Sequence, residues 1–236
     1  MTPDLAGKVA VVTGGASGIG AALCRAIRAA GGEAIAADIA GEGVVHCDVT
    51  RPEALEALAD EVWARFGRVD LLVNNAGIGS GGKRLADTPL DSARQTFEVN
   101  FWGVWHGCRA FAPRLAAQDH DSAIYNVASE NALFCAIKRA AAYVASKHAV
   151  LGLTESLRTD LPPHVHAGTI IPGWVDTPIG SEAMRGHAMD ADRFAAIILP
   201  QLLARERFVV SHAYNAVRMH ERIAAPLADK GLALYA

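Results

Sequence analysis

Val9-Ala10-Val11-Val12-Thr13-Gly14-Gly15-Ala16-Ser17-Gly18-Ile19-Gly20 decides the fold, because an apolar run passes through a glycine-rich turn straight into the alanine-rich stretch Ala21-Ala22-Leu23-Cys24-Arg25-Ala26-Ile27. Strand, glycine turn and helix, in that order, are what a dinucleotide site requires. Glycine has no Cβ, so it adopts positive φ and lets a pyrophosphate approach the backbone. The free amides at the start of the following helix present partial positive charge to a phosphate. Gly14, Gly18 and Gly20 give the spacing G-x-x-x-G-x-G, a variant of the dinucleotide fingerprint, with Gly15 as an extra.

Working outward, Glu33-Ala34-Ile35-Ala36-Ala37 reads as a short buried strand ending at Asp38. A carboxylate about 20 residues beyond such a turn is placed to grip a ribose diol and to repel a 2′-phosphate. No basic residue stands at Ala16, Ser17, Ile39 or Ala40 to bind that phosphate, so the sequence favours NAD over NADP.

The rest of the chain alternates strand and helix. Val44 to Cys47 reads as a strand ending at Asp48, Arg51 to Phe66 as a helix with Leu55, Leu58, Val62 and Phe66 on one stripe, and Val69 to Val73 as a strand. A long helical stretch follows from Leu90 to Ala117, then a strand from Ala123 to Val127, a helix from Ala142 to Leu161 and a strand from Ala167 to Ile171. This predicts an α/β fold: one Rossmann-type domain over residues 1–236, a doubly wound parallel sheet covered by helices on both faces. Between Asp38 and Val44 too few residues remain for a crossover helix, which is therefore expected to be missing.

Composition narrows the function classes. With 236 residues, 51% of them hydrophobic, the chain can bury a large core. A net charge of −3 with scattered Lys and Arg gives no footprint for nucleic acid or an anionic membrane. Cys24, Cys47, Cys108 and Cys135 are far apart in apolar segments, which reads as four reduced core thiols rather than disulfides or zinc ligands. The start lacks the features of a leader peptide, and no apolar run reaches ~18 residues. A cytoplasmic protein is expected. His164-Val165-His166 puts two imidazoles on one side of an extended segment but has no third ligand nearby, so no metal site is expected.

Thr13 to Gly20, Asn74-Asn75-Ala76-Gly77, Asn100, Ser129, Tyr143-Val144-Ala145-Ser146-Lys147 and Pro172-Gly173-Trp174-Val175-Asp176-Thr177 resemble, in order and spacing, the motifs of the short-chain dehydrogenase/reductase family. The likeness runs from Lys8 to about Pro178. It implies an oxidoreductase that interconverts a secondary alcohol and a ketone by hydride transfer. The alternatives are an NADPH-linked carbonyl reductase, which would need a basic residue that this chain lacks, and a nucleotide-binding relative without turnover.

The resemblance implies the following roles. Gly14, Ser17, Gly18, Ile19, Gly20, Asp38, Asp48, Val49, Asn75, Ala76, Gly77, Pro172, Gly173, Val175 and Thr177 would bind the cofactor. Tyr143 would be the general acid/base, Ser129 would hydrogen-bond the substrate oxygen, Lys147 would also hold the ribose, and Asn100 would fix a water linking Lys147 to solvent. Residues i and i+4 share a helix face, so Tyr143 and Lys147 can meet in one cleft, where the ammonium together with the nicotinamide cation is expected to lower the phenol pKa.

Around Ser129 and Tyr143, Asn131, Phe134, Trp174, Ile179 and Met184 suggest a mainly apolar substrate pocket for a cyclic or aryl alcohol, under a lid at 177–189. Glu130 departs from the small residues usual in the family and is expected to face solvent, or else to contact a polar or cationic part of the substrate. The divergent tail at 213–236 puts a family-type tetramer in doubt. A stripe of Trp102, Trp105, Phe111 and Tyr143 would suit a homodimer, so a homodimer or homotetramer is expected.

Overall fold

The computed structural model describes residues 4–80, 82–179, 187–215, 217–218 and 221. Within them β1 (Val9–Thr13) lies in a seven-stranded sheet of order β3-β2-β1-β4-β5-β6-β7, with every neighbouring pair parallel. The strands are β2 (Glu33–Asp38), β3 (Val45–His46), β4 (Leu71–Asn74), β5 (Ser122–Val127), β6 (Val165–Ile171) and β7 (Phe208–Val210). A sheet buried on both faces needs strands that are apolar throughout, and β1 and β5 are buried at every position.

Alternate residues of each strand serve opposite faces. Ala10 and Val12 join Tyr125 and Ile170 against α1 (Gly18–Ala29) and α6 (Ala191–Leu203), through Leu23, Ile27, Phe194 and Ile198. Val9 and Val11 join Leu72 and Ile124 against α2 (Pro52–Phe66), α4 (Gly103–Ala116) and α5 (Ala141–Asp160), through Leu55, Val62, Phe111 and Val150. The crossover helix after β2 is absent, as expected. The parallel return succeeds with so short a loop because β3 has only two residues, paired to Ala37 and Asp38, so the chain has little distance to recover.

The long helix expected from Leu90 to Ala117 is observed as α3 (Leu90–Phe97) running into α4 through a π-helical turn, Glu98–Trp102, with Asn100 buried inside it. Widened turns of this kind recur at functional sites. The order reverses at β1, whose two neighbours β2 and β4 follow on opposite sides. The crevice beyond the carboxyl ends of β1 and β4 is where such a sheet receives a ligand.

Two expectations need correction. Cys24, Cys47 and Cys108 are buried, but Cys135 is exposed, its Sγ on the Ile137 carbonyl, because residues 133–140 form an irregular loop and not a core segment. The aromatic stripe is also smaller than expected. Phe111 is fully buried against Trp63, and Tyr143 faces the crevice, so only Trp102 and Trp105 of the four stand outward. Most of the tail at 213–236 lies outside the described residues.

Candidate active site

The glycine turn joins β1 to α1 at the crevice. Gly14 has φ +64°, a conformation L side chains rarely adopt, and a Cβ on Gly20 would lie 2.1 Å from the Gly14 carbonyl oxygen. Gly18 also has positive φ, Ser17 is the extended N-cap residue of α1 and makes no side-chain cap, and Ile19 packs on the core. The turn is fixed from outside. Thr13 Oγ1 accepts from the amides of Asn75 (3.0 Å) and Ala76 (3.1 Å), and Asn75 Nδ2 donates to the carbonyls of Thr13 and Gly14. Asp38 Oδ2 accepts from the Ala16 amide at 3.0 Å and Oδ1 from its neighbour Ile39 at 2.8 Å. The carboxylate is thus held at the turn with a lone pair on each oxygen still available.

Asp48 and Val49 follow β3. Asp48 accepts from the Thr50 amide and hydroxyl, which hold its carboxyl below the ordinary range, and Val49 packs on Gly103 while its carbonyl contacts His106 Nδ1. Thr177 touches the other side of the turn, 3.1 Å from where a Gly18 Cβ would be. The loop after β6 is tied across the crevice: Glu130 donates its amide to the Pro172 carbonyl at 2.8 Å. Val175 pairs with Met189, so the two ends of the expected lid are pinned together by Met189 N to Trp174 O and Asp176 N to Met189 O. Gly77, at the other rim, lies beside Asn100 Oδ1 and Lys147 Nζ.

The four residues expected to carry catalysis converge from β5, α5 and the π turn. Ser129 Oγ accepts from Asn131 N (3.1 Å) and Nδ2 (3.3 Å), which leaves its own proton to be donated, and that proton reaches Tyr143. Lys147 is buried, its Nζ donating to the Val127 carbonyl at 2.9 Å and lying 5.8 Å from the centroid of the Tyr143 ring. Burial pulls the Lys147 ammonium down to about 8. Burial raises the Tyr143 pKa and the Glu130 charge adds to this, against the opposing Ser129 hydrogen bond.

Asn100 is also more constrained than its expected role requires. Its Oδ1 accepts from Ile78 N at 2.8 Å, and its Nδ2 donates to Ile78 O and to Ser146 Oγ. The side chain therefore braces the segment after β4 against α5.

Of the residues expected to line the substrate pocket, Phe134 and Trp174 share a cavity with polar neighbours. A cavity of about 340 Å³ is lined by Glu130, Phe134, Ala136, Trp174, Tyr214 and Arg218, and opens into a second that Phe134, Tyr214 and Arg218 also line. Glu130 does not face solvent. It is 3% exposed, and its Oε2 accepts from Tyr214 Oη at 2.9 Å. Asn131 is buried and spends its Oδ1 on the amides of Ala136 and Ile137, shaping the loop that carries Phe134. Ile179 is half exposed near Gly79, and Met184 lies outside the described residues.

Sequence reasoning missed Thr13, Ala16, Tyr214 and Arg218. A threonine closing β1 was a findable signal. Tyr214 was not, since 84 residues separate it from Glu130. Among the described residues no group of His, Cys, Asp or Glu could hold a metal, and no helix is long and apolar enough to cross a membrane.

Residues 8–187 match the model of a family described as short chain dehydrogenase. The chain is 36% identical, over 91% of its length and 86% of the relative's, to the 1-deoxy-11-beta-hydroxypentalenate dehydrogenase of Streptomyces exfoliatus. It is 34% identical, over 78% of its length and 79% of the relative's, to the 2,5-dichloro-2,5-cyclohexadiene-1,4-diol dehydrogenase of Sphingobium indicum. A short chain dehydrogenase/reductase from Burkholderia phymatum, solved with NAD, superposes with a TM-score of 0.83 at 28% identity, covering 100% of this chain and 98% of that one. Similar solved structures include complexes with NADP as well as NAD.

Proposed function

The chain belongs to the short-chain dehydrogenase family and is an NAD(P)-dependent oxidoreductase acting on CH–OH groups; from that premise we propose that it interconverts a secondary alcohol and a ketone, uses NAD in preference to NADP, and prefers a cyclic or aryl substrate. The convergence of Ser129, Tyr143 and Lys147 at the carboxyl edge of the sheet, beside the glycine turn, carries the reading.

The residues present fit a dinucleotide, since glycines at 14 and 20 let the turn close tightly against Asn75 and Ala76, where a Cβ would clash, and Asp38 offers two oxygens beside it. Gly14, Ser17, Gly18, Ile19 and Gly20 would hold the pyrophosphate and Asp38 the adenosine ribose. Asp48, Val49, Asn75, Ala76, Gly77, Pro172, Gly173, Val175 and Thr177 would flank it, with Lys147 on the second ribose. When bound, the dinucleotide supplies the hydride acceptor or donor. Ser129 donates its hydroxyl proton to the substrate oxygen, and Tyr143, ionised as its phenolate with Lys147 stabilising that charge, takes the proton of the alcohol and becomes the neutral phenol. Because burial raises the phenol pKa, the rate of alcohol oxidation is expected to climb with pH above neutrality.

For the substrate, Phe134 and Trp174 supply apolar surface worth about 25 cal/mol per Å² buried, and a relative named for a cyclohexadiene diol supports a ring. For the cofactor, Asp38 facing a 2′-phosphate would cost on the order of 1–4 kcal/mol. Initial rates with NAD and NADP across cyclic and aryl secondary alcohols, sugars and short polyols test both. A kcat/KM ratio of the two cofactors near one overturns the NAD reading, and a clear advantage for sugars or acyclic polyols overturns the substrate reading. Asp38→Ala with Ile39→Arg should move the preference toward NADP. The mass of the native protein in solution separates a homodimer, a homotetramer and a monomer, with Trp102 and Trp105 offered as contact residues.

A further inference from the structure

The chemistry just derived leaves Glu130 unused. A carboxyl group directly after the serine that meets the substrate is costly to bury without partners. Its Oε2 has Tyr214 Oη at 2.9 Å, while Oε1 accepts no hydrogen bond among the described residues. The side chain lines the cavity of about 340 Å³ together with Phe134, Ala136 and Trp174. Its charge acts on Tyr143, so it lies within electrostatic reach of the reacting oxygen without being the group that holds it.

The surroundings select the chemistry of what Oε1 would meet. Arg218 lies over the Phe134 ring at 5.3 Å and its charge is felt by Glu130, so the cavity already holds a cation and disfavours a second. A substrate carboxylate would be repelled by Glu130 itself. A neutral hydroxyl satisfies the free oxygen without adding charge, and Phe134 and Trp174 lie in the same cavity to cover a ring that carries it.

We propose that Glu130 is a specificity-determining residue that accepts a hydrogen bond from a second, non-reacting hydroxyl of the substrate, making the preferred substrate a neutral ring diol held at one hydroxyl by Ser129 and Tyr143 and at the other by Glu130. This rests on the reading of Ser129, Tyr143 and Lys147 as the reacting centre. Tyr214 is then a positioning residue, whose hydroxyl turns the carboxyl so that Oε1 faces the cavity.

The test compares trans-1,4-cyclohexanediol with 4-methylcyclohexanol, which has similar size and one hydroxyl. Binding is measured by calorimetry on the protein with NADH present, and turnover by NADH formation from NAD. The diol is expected to bind at least ~10-fold tighter, with a matching kcat/KM advantage, and Glu130→Leu should bring both ratios close to one. Tyr214→Phe removes the hydroxyl that turns the carboxyl and should lower the diol preference without abolishing it, and an undiminished preference takes Tyr214 out of the positioning role. Equal binding of the two alcohols by the unaltered protein overturns the proposal whether or not Glu130→Leu folds. So does tighter binding of trans-4-aminocyclohexanol than of the diol, or a diol preference that survives Glu130→Leu. Absence of NADH from every alcohol would instead overturn the reading of the reacting centre, which the binding ratios do not depend on.

Discussion

The two sides of the crevice are built in different ways. On the side of β1, β2 and β4 the parts that face a ligand are mostly backbone: a turn of glycines, the amide of Ala16, and carbonyls locked by Thr13 and Asn75. On the side of β5, β6 and the chain beyond them, side chains from distant stretches meet, with Tyr214 reaching Glu130 and His212 and Tyr214 filling the space beside Gly173. The first side can be varied only where the backbone permits, so it suits a cofactor. The second can change its chemistry one side chain at a time, so it suits a substrate.

Tyr143 stands where the two sides meet, and its replacement should give the largest effect. Tyr143→Phe removes a group that touches the substrate and leaves the glycine turn intact. General acid/base catalysis of this type contributes on the order of 10²–10⁴-fold, so kcat should fall by that factor while NADH affinity, read by fluorescence titration, stays within about twofold. Lys147→Ala should damage both, because its ammonium serves the phenol and the ribose. A Tyr143→Phe protein with substantial turnover would break the division between the sides.

A smaller effect, confined to the cofactor side, is expected from Gly20→Ala. The new methyl would lie 2.1 Å from the Gly14 carbonyl oxygen and 2.6 Å from Asn75 Nδ2, both rigidly held, so the turn must shift. Overpacking of this kind costs roughly 1–3 kcal/mol. NADH affinity should weaken at least ~10-fold and Tm should fall, whereas the diol preference of any residual activity should survive. Normal NADH affinity in Gly20→Ala would show that the turn is more plastic than its hydrogen bonds imply.

The same contrast explains what could be read from the sequence. β1, α1 and Asp38 were legible because local patterns encode them, an apolar strand and a glycine turn with a carboxylate about 20 residues beyond it, while Ser129, Tyr143 and Lys147 were legible through the resemblance of their spacing to the family's motifs. Even the missing crossover was a matter of counting residues. Glu130 misled for the opposite reason. A glutamate is rarely buried, and what buries this one is a tyrosine that no spacing rule connects to it. The direction of the phenol pKa was not legible because burial of the phenol is its largest cause, and burial is a property of the whole fold. Cys135 misled because an apolar neighbourhood in sequence does not fix whether a loop turns a thiol inward.

The smallest effect belongs to the substrate side and concerns stability. Burial raises the Glu130 carboxyl above its ordinary value, against the Tyr214 hydrogen bond and the Arg218 charge. An acid whose folded pKa is raised gives up stability as pH climbs from its unfolded value through the folded one, because the folded state must then hold a charge that it solvates poorly. Glu130→Gln keeps the shape and an acceptor for Tyr214 without the charge. It should therefore melt higher than the unaltered protein at pH 7–8, by about 2–4 °C, the shift that ~1 kcal/mol produces at this size. The difference should shrink toward zero as pH falls to about 4, where the carboxyl is protonated in both states. A gap that stays constant with pH would mean that the effect is packing and not charge. A lower Tm at neutral pH would mean that Tyr214 and Arg218 more than compensate the buried charge, so that the carboxylate is held for stability and not, at stability's expense, for a ligand.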